Sequence, residues 1–356
     1  MTLLARLMSA FRGSPPQAPG AVAAGALDGS RWDLPGSPEG RREAARWAYR
    51  LLLVREPDSA ASLDFLASSA RSTRDLRDRI LQSQEFRSQS GLPVQFSMTG
   101  DEPPQEVQVE VGPEARERLF RRVQETWHAL GEEQPHWSVV TAEEFRPGRI
   151  GESLESFYAS GEANVATLMR TLARNGIDDS RMRRCMDFGC GVGRLTVALA
   201  KRFPEVVAVD VSASHLAVAR ESLSRFGIAN ASLHRLEAIA DVAGLPAVDL
   251  VYSVIVLQHN PPPVMHALFE GLLGRVAPGG AAVIQVPTYL PVGYRFDLAE
   301  YEKGSGREME MHPLPQREVF ALARAAGMEV LEVLEDAWTG FGSGSRSNTF
   351  VMRRPG

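Results

Sequence analysis

The sequence predicts an α/β protein: a doubly wound, mostly parallel sheet of seven strands, preceded by a small all-α module. Three observations predict it. From Arg184 onward, short apolar runs alternate with amphipathic helical stretches. The first of these runs ends in a glycine-rich turn, Asp187-Phe188-Gly189-Cys190-Gly191-Val192-Gly193-Arg194. Far upstream, Arg41–Gln89 carries helical periodicity between two stretches bearing proline and glycine.

In chain order, residues 1–40 read as a flexible segment. Leu3, Leu4, Leu7, Met8 and Phe11 recur there at helical spacing, with Arg6 opposite and Arg12 beside them. A helix lying on a membrane surface, a helix docked on the protein and a frayed start all share that pattern. Residues 41–90 are expected to form three helices. Trp47, Leu51 and Leu52 share a stripe, Pro57 stops the first helix, Asp58 can cap the second, and a third begins near Thr73 with Leu76, Ile80 and Leu81. Residues 91–113 read as an acidic, proline-bearing linker. Residues 114–180 form a helical cap, with Phe120, Val123 and Trp127 at helical spacing.

The core occupies residues 181–356. Arg184–Phe188, Val206–Val209, Ser232–Leu236, Leu250–Val256 and Ala281–Val286 read as strands, and Val330–Glu335 and Asn348–Arg353 add two more. Met265, Leu268, Phe269, Leu272, Leu273 and Val276 trace one helix face that Pro278-Gly279-Gly280 would end, and Gln316–Ala326 reads as another helix.

Composition narrows the function classes. Charged residues make up 23% and hydrophobic residues 44%, enough apolar content to build a core. The net charge of −5 argues against nucleic-acid binding, which normally shows as a basic face. The only two cysteines, Cys185 and Cys190, make neither a disulfide framework nor a zinc spacing, which fits a reducing, cytoplasmic setting. No apolar run is long enough to span a membrane, and no signal-peptide pattern is present.

The glycine turn carries the chemistry. Glycines let the backbone turn tightly and admit a ligand where a Cβ would collide. A dinucleotide-binding turn would place its third glycine at position 194, which is arginine, so the G-x-G-x-G spacing with a leading acid favours a different nucleoside ligand. Asp210, at the end of Val206–Val209, suits a ribose diol; it could instead cap the next helix, although Ser212 is better placed for that. Two companions follow: the strand Asp249–Val256 running into Leu257-Gln258-His259-Asn260-Pro261, and Ala277-Pro278-Gly279-Gly280.

Together these motifs resemble the class I methyltransferases that use S-adenosylmethionine (SAM), over roughly Phe157 to Arg353. The resemblance implies a seven-stranded sheet whose last strand is inserted antiparallel. It implies that Asp187, Gly189, Cys190, Gly191 and Gly193 hold the methionine end of SAM and that Asp210 holds the ribose. Adenine would rest near Val211 and Leu236–Ala238, where Glu237 is either a contact or a solvated acid. Ser253, Tyr158 and Gly161 are further candidate contacts, the last two alternatively packing the cap. Trp137 and Arg149 are candidates for a lid. His259, just after the fourth strand, is a general base, a residue hydrogen-bonding a loop, or a residue lining the pocket. A metal set of His259, His266 and His312 is not expected, because Pro261-Pro262-Pro263 interrupts helical ligand spacing.

Upstream, Tyr49-Arg50-Leu51-Leu52, Arg55-Glu56-Pro57-Asp58 and Ser83-Gln84-Glu85-Phe86-Arg87 resemble a helical module of unknown function that recurs in bacterial surface-glycan and secreted proteins. Val54 and Ala61 stand where that family usually has glycines, and Phe65 where it often has tryptophan.

The expectation is therefore a cytoplasmic SAM-dependent methyltransferase acting on an oxygen of a small-molecule or glycan acceptor. The aromatics of Pro287–Leu314 are expected beside the acceptor, the tract Trp338–Gly344 is either a lip beside it or a flexible hairpin turn, and the helical module is a candidate for binding a protein partner. The alternatives are a secondary-metabolite or lipid-linked acceptor, or a catalytically silent SAM-binding scaffold in a polysaccharide assembly complex. The intact loop and Asp210 weigh against the scaffold.

Overall fold

The computed structural model describes residues 34–83, 85–86, 102–291, 293–304, 309–336, 338–339 and 344–356. The stripe within residues 1–12, Gln84 and Arg87 of the module motif, residues 91–101 of the linker, and residues 340–343 lie outside them. The described residues form two compact units, one within Met1–Gln95 and the other within Phe96–Gly356.

The first unit is a three-helix bundle: α1 (Pro38–Ala48), α2 (Ala60–Ser69) and α3 (Thr73–Leu81). Ser37, Ser59 and Ser72 cap them by accepting from Gly40, Ser62 and Asp75 N–H groups. Ser59 rather than Asp58 thus caps α2. Nor does α1 run to Pro57: it widens into a π turn at Tyr49–Leu53 and stops at Val54, whose φ is 53°. That is the left-handed region which favours glycine, so valine occupies the position there at a conformational cost. The π turn rotates the side-chain register. Leu53 enters the core with Ala45, Leu63, Leu66, Leu76 and Ile80, while Trp47 and Leu51 from the expected stripe are 49% and 71% exposed.

In the second unit the main sheet contains β1 (Arg184–Phe188), β2 (Glu205–Asp210), β3 (Ala231–Arg235), β4 (Val248–Ser253), β5 (Val276–Tyr289), β6 (Glu329–Asp336) and β7 (Arg346–Arg353). Their order is β3-β2-β1-β4-β5-β7-β6, all parallel except β7, which pairs antiparallel with both neighbours. Strand pleating divides the core. Met186, Val207, Val209 and Val251 face α8 (Pro262–Leu273) and α10 (Gln316–Ala325), whereas Cys185, Val206, Leu250 and Tyr252 face α5 (Ile150–Arg174) and α6 (Arg194–Ala200). The helices α4 (Pro113–Glu133), α7 (Ala213–Arg225) and the short α9 (Leu298–Tyr301) complete the unit.

Several expected boundaries shift, three of them for a visible reason. Val276 is a strand residue, because β4 begins by donating Val248 N–H to the Arg275 carbonyl, so α8 has to end at Leu273. β4 itself stops at Ser253, two residues before the backbone turns left-handed at Ile255. The end of the expected linker is built into this unit. The Gln105 amide bonds both Leu290 N–H and Leu290 C=O at 2.9 Å, and Glu106–Val107 pairs in parallel with Arg295–Phe296.

Candidate functional site

The chain passes outward from β1 to β2 and β3, then returns to β4 on the other side of β1. The carboxyl ends of β1 and β4 therefore flank the switch point where open α/β sheets bind ligands. The glycine turn sits there. Gly189, Gly191 and Gly193 have φ of 79°, 52° and 84°. The Gly189 and Cys190 N–H groups both donate to the Val209 carbonyl, at 2.8 and 3.0 Å, which pins the turn onto β2. Side chains are excluded as well as tolerated: a Cβ on Gly189 would lie 2.2 Å from a Val256 methyl, and one on Gly191 2.6 Å from a Val139 methyl.

Asp210 closes the other side. One carboxylate oxygen accepts from Gly191 N–H and the other from Ser212 N–H, both at 2.8 Å. Each oxygen retains a lone pair for a further donor. Ser212 caps α7 by accepting from His215 N–H, so the cap and the carboxylate are separate devices.

A cavity of about 80 Å³ lies between these groups. Gly189, Cys190, Gly191, Asp210 and Val211 form its floor, with Leu236 and Leu268 beside them. The cap contributes Val123, Trp127, Ser138 and Val139, and the segment after β4 contributes Val254, Ile255, Val256 and Asn260. This volume is well under the roughly 300 Å³ at the small end of ligand pockets, so a nucleoside-sized ligand requires Val139 and the cap to withdraw.

His215 joins cap to floor. Its Nε2 is hydrogen-bonded to Ser138 of the cap and its Nδ1 to Ser212, both at 2.8 Å. Burial lowers the His215 pKa, partly opposed by the nearby Asp210 charge. Ser138, Val139 and His215 are site residues that sequence reasoning missed. The two cap residues sit on a loop without periodicity, and His215 reads as an ordinary first-turn residue of a helix.

Several expected contacts are placed differently. Asp187 is buried behind the turn rather than in the cavity. It accepts from the Thr196 hydroxyl at 2.6 Å, and burial pushes its pKa up to about 6 against the pull of that bond and of Arg194. Ser253 donates to the Phe188 carbonyl at 3.1 Å and so ties β4 to the end of β1. Tyr158 bonds Ser222 at 2.5 Å and packs on the rings of Phe157 and Phe226, away from the cavity walls. Gly161 permits helix packing: a Cβ there would lie 2.4 Å from the Arg194 carbonyl oxygen. Glu237 is exposed beside Arg235, and it is Asp241 that accepts from the Glu237 and Ala238 N–H groups. Gly193 forms the N-cap of α6, and the Cys190 thiol is pushed well above its usual pKa by burial.

His259 does not face the cavity as a free base. Its Nδ1–H donates to the Glu310 carbonyl at 2.8 Å, so Nε2 carries the lone pair, which accepts from the Gln258 amide at 3.3 Å. Trp127 packs edge-on against the imidazole at 5.2 Å. Burial drives the His259 pKa down from 6.5 to about 4, so the ring is neutral near pH 7. The aromatics expected around an acceptor also bond inward. Tyr294 bonds His312 at 2.7 Å, Tyr301 bonds Glu310, and Phe296 packs on His312. Trp137 lies under the Arg146 guanidinium, and Arg149 is the residue before α5. Among the described residues, no three His, Cys, Asp or Glu side chains are grouped to share a metal ion, and no helix is long and apolar enough to cross a membrane.

With this geometry in view, comparison with known proteins bears on the central segment. Residues 185–280 match the methyltransferase-domain family. Trans-aconitate 2-methyltransferase from Rhodopseudomonas palustris (strain BisA53) is 36% identical over 121 residues, covering 33% of this chain and 43% of that protein. The same-named protein from Azoarcus sp. (strain BH72) is 34% identical over 157 residues, covering 43% and 53%. The ubiquinone biosynthesis O-methyltransferase of Psychrobacter cryohalolentis is 23% identical over 200 residues, covering 54% and 71%. The chain thus spans about half the length of the trans-aconitate relatives it matches. Among solved structures, magnesium protoporphyrin IX methyltransferase from Synechocystis PCC 6803 with bound SAH aligns with a TM-score of 0.45 at 16% identity, covering 66% of this chain and 99% of that one.

Proposed function

We propose that the protein is a SAM-dependent methyltransferase that methylates an oxygen of a small-molecule or glycan acceptor. The observation that carries the proposal is the junction of the glycine turn with Asp210 at the switch point of the sheet. Asp210 has one lone pair left on each oxygen after holding Gly191 and Ser212, which suits the paired hydroxyls of a ribose. Val211, Leu236 and Leu268 supply an apolar wall for a purine. The turn, free of Cβ atoms at Gly189 and Gly191, leaves backbone at the cavity for the methionine end. When bound, SAM supplies a methyl group on a sulfonium, an excellent leaving group.

What the chain contributes is mainly positioning and exclusion of water. Trp127 and Val139 cover the cavity from the cap side. No proton-accepting role is assigned to His259, whose only lone pair is taken by Gln258. That favours an acceptor oxygen already anionic near neutral pH, such as a carboxylate. It is in keeping with the relatives named for trans-aconitate, and with small-molecule acceptors generally. The glycan reading rests on the resemblance of the helical module alone, as does a partner-binding role for that module. Calorimetry with SAM, S-adenosylhomocysteine and NAD tests the cofactor, because NAD binding without SAM binding removes the proposal. Labelled SAM incubated with small-acid, nucleotide-sugar, lipid and polymer fractions then identifies the acceptor pool by which fraction gains label.

A further inference from the structure

Ile255 is a β-branched residue at φ 58°, in a region where such side chains are genuine outliers. It lies in the cavity wall between Val254 and Val256, and Val256 is the side chain pressed against Gly189. The shape of this turn therefore sets the spacing between the post-β4 wall and the glycine turn. One side chain outside the cavity grips it. Gln285, in the middle of β5 and fully buried, accepts the Ile255 N–H through its amide oxygen at 2.7 Å. Its amide nitrogen donates to Ser347 of β7 at 2.7 Å and to the Gln258 side-chain oxygen at 3.0 Å. Gln258 in turn donates to His259, and His259 donates to the Glu310 carbonyl. The direction of each hydrogen bond in this buried chain is unambiguous, which helps a polar network specify a single arrangement.

We propose that Gln285 is a positioning residue for the cofactor site: it clamps Ile255 in the left-handed turn and so holds the Val254–Val256 wall against the glycine loop. His259 is the outer end of this relay, linking the clamp to the segment around Glu310. The inference rests on the SAM reading only for its ligand, since the clamp itself is a property of the chain.

The test uses the full chain with S-adenosylhomocysteine as probe. Gln285→Met removes the acceptor at nearly constant volume and is expected to weaken the probe about tenfold, the effect of one lost buried hydrogen bond. It also lowers the melting temperature, because the bonds to Gln258 and Ser347 go with it. Adding Ile255→Gly makes the left-handed turn accessible without a clamp. Because Ile255 lines the cavity, the double variant is read against Ile255→Gly alone: Gln285→Met is expected to cost the probe about tenfold in the wild-type background and little in the Ile255→Gly background. Gln285→Glu, which keeps an oxygen facing Ile255, is the fallback if the methionine variant does not fold, and it should retain affinity. An equal loss of affinity from Gln285→Met in both backgrounds overturns the clamp, and so does affinity that simply follows the melting temperature. Amide hydrogen exchange over residues 254–258 reads the clamp without any ligand. Faster exchange in Gln285→Met upholds it, and unchanged exchange overturns it. A wild-type chain that fails to bind the probe removes the SAM reading instead, and the exchange result still decides the clamp.

Discussion

Replacing His259 with asparagine isolates the cost of charging one buried imidazole. In the native protein one ring nitrogen donates to the Glu310 carbonyl and the other accepts from Gln258, so the surroundings fit the neutral ring. Burial is the main cause that lowers its pKa from 6.5 to about 4, with His312 adding to the effect and the Glu310 carbonyl opposing it. The sign follows from proton uptake. The unfolded chain binds a proton near pH 6.5, while the native ring resists until about pH 4, so the contribution is present above the unfolded value and disappears as pH falls through this window. The shift corresponds to about 3 kcal/mol over the full window, of which about 2 kcal/mol is lost between pH 7 and pH 5. Asparagine keeps an amide donor for Glu310 and does not titrate. Urea unfolding at the two pH values should therefore show the wild type losing about 2 kcal/mol more than the variant. His136 and His215, also lowered by burial, are present in both proteins and cancel. Equal losses in wild type and variant would refute the burial argument and reopen His259 as a titrating base.

Asp210→Ala should weaken S-adenosylhomocysteine by roughly 1–3 kcal/mol in calorimetry, the cost of leaving hydroxyl partners unpaired, and unchanged affinity would remove the ribose assignment. Val139→Ala trims the methyl group nearest Gly191; it should speed association of the same probe in stopped flow, whereas an unchanged on-rate would show that the cap does not gate the cavity. Deleting residues 1–91 should leave a cooperatively folding chain that still binds the probe, because the turn, Asp210 and all seven strands of the main sheet lie downstream. Loss of the cooperative transition in denaturant would show that the helical module completes the second unit.

The sheet and the glycine turn were legible because each rests on local rules. Buried parallel strands read as apolar runs, a helix reads as a 3.6-residue period, and the spacing of Gly189, Gly191 and Gly193 after β1 belongs to a few consecutive residues. Asp210 was legible for the same reason, since it ends a recognisable strand. Residues whose roles depend on distant partners were not. Asp187 and Ser253 sit in the expected motifs, yet Thr196 and the Phe188 carbonyl turn them away from the cavity. Tyr158 is drawn to Ser222, 64 residues on. No period marks Ser138 or Val139 as covering a loop some fifty residues later in the chain, because a side chain on an irregular segment is aimed by tertiary packing alone. Local pattern was thus enough to specify the fold and the place of the glycine turn at the switch point of the sheet. Which polar groups remain free to meet a ligand was settled only by packing in three dimensions. In a buried site every donor and acceptor needs a partner, and for His259 and Gln285 those partners come from other strands and loops.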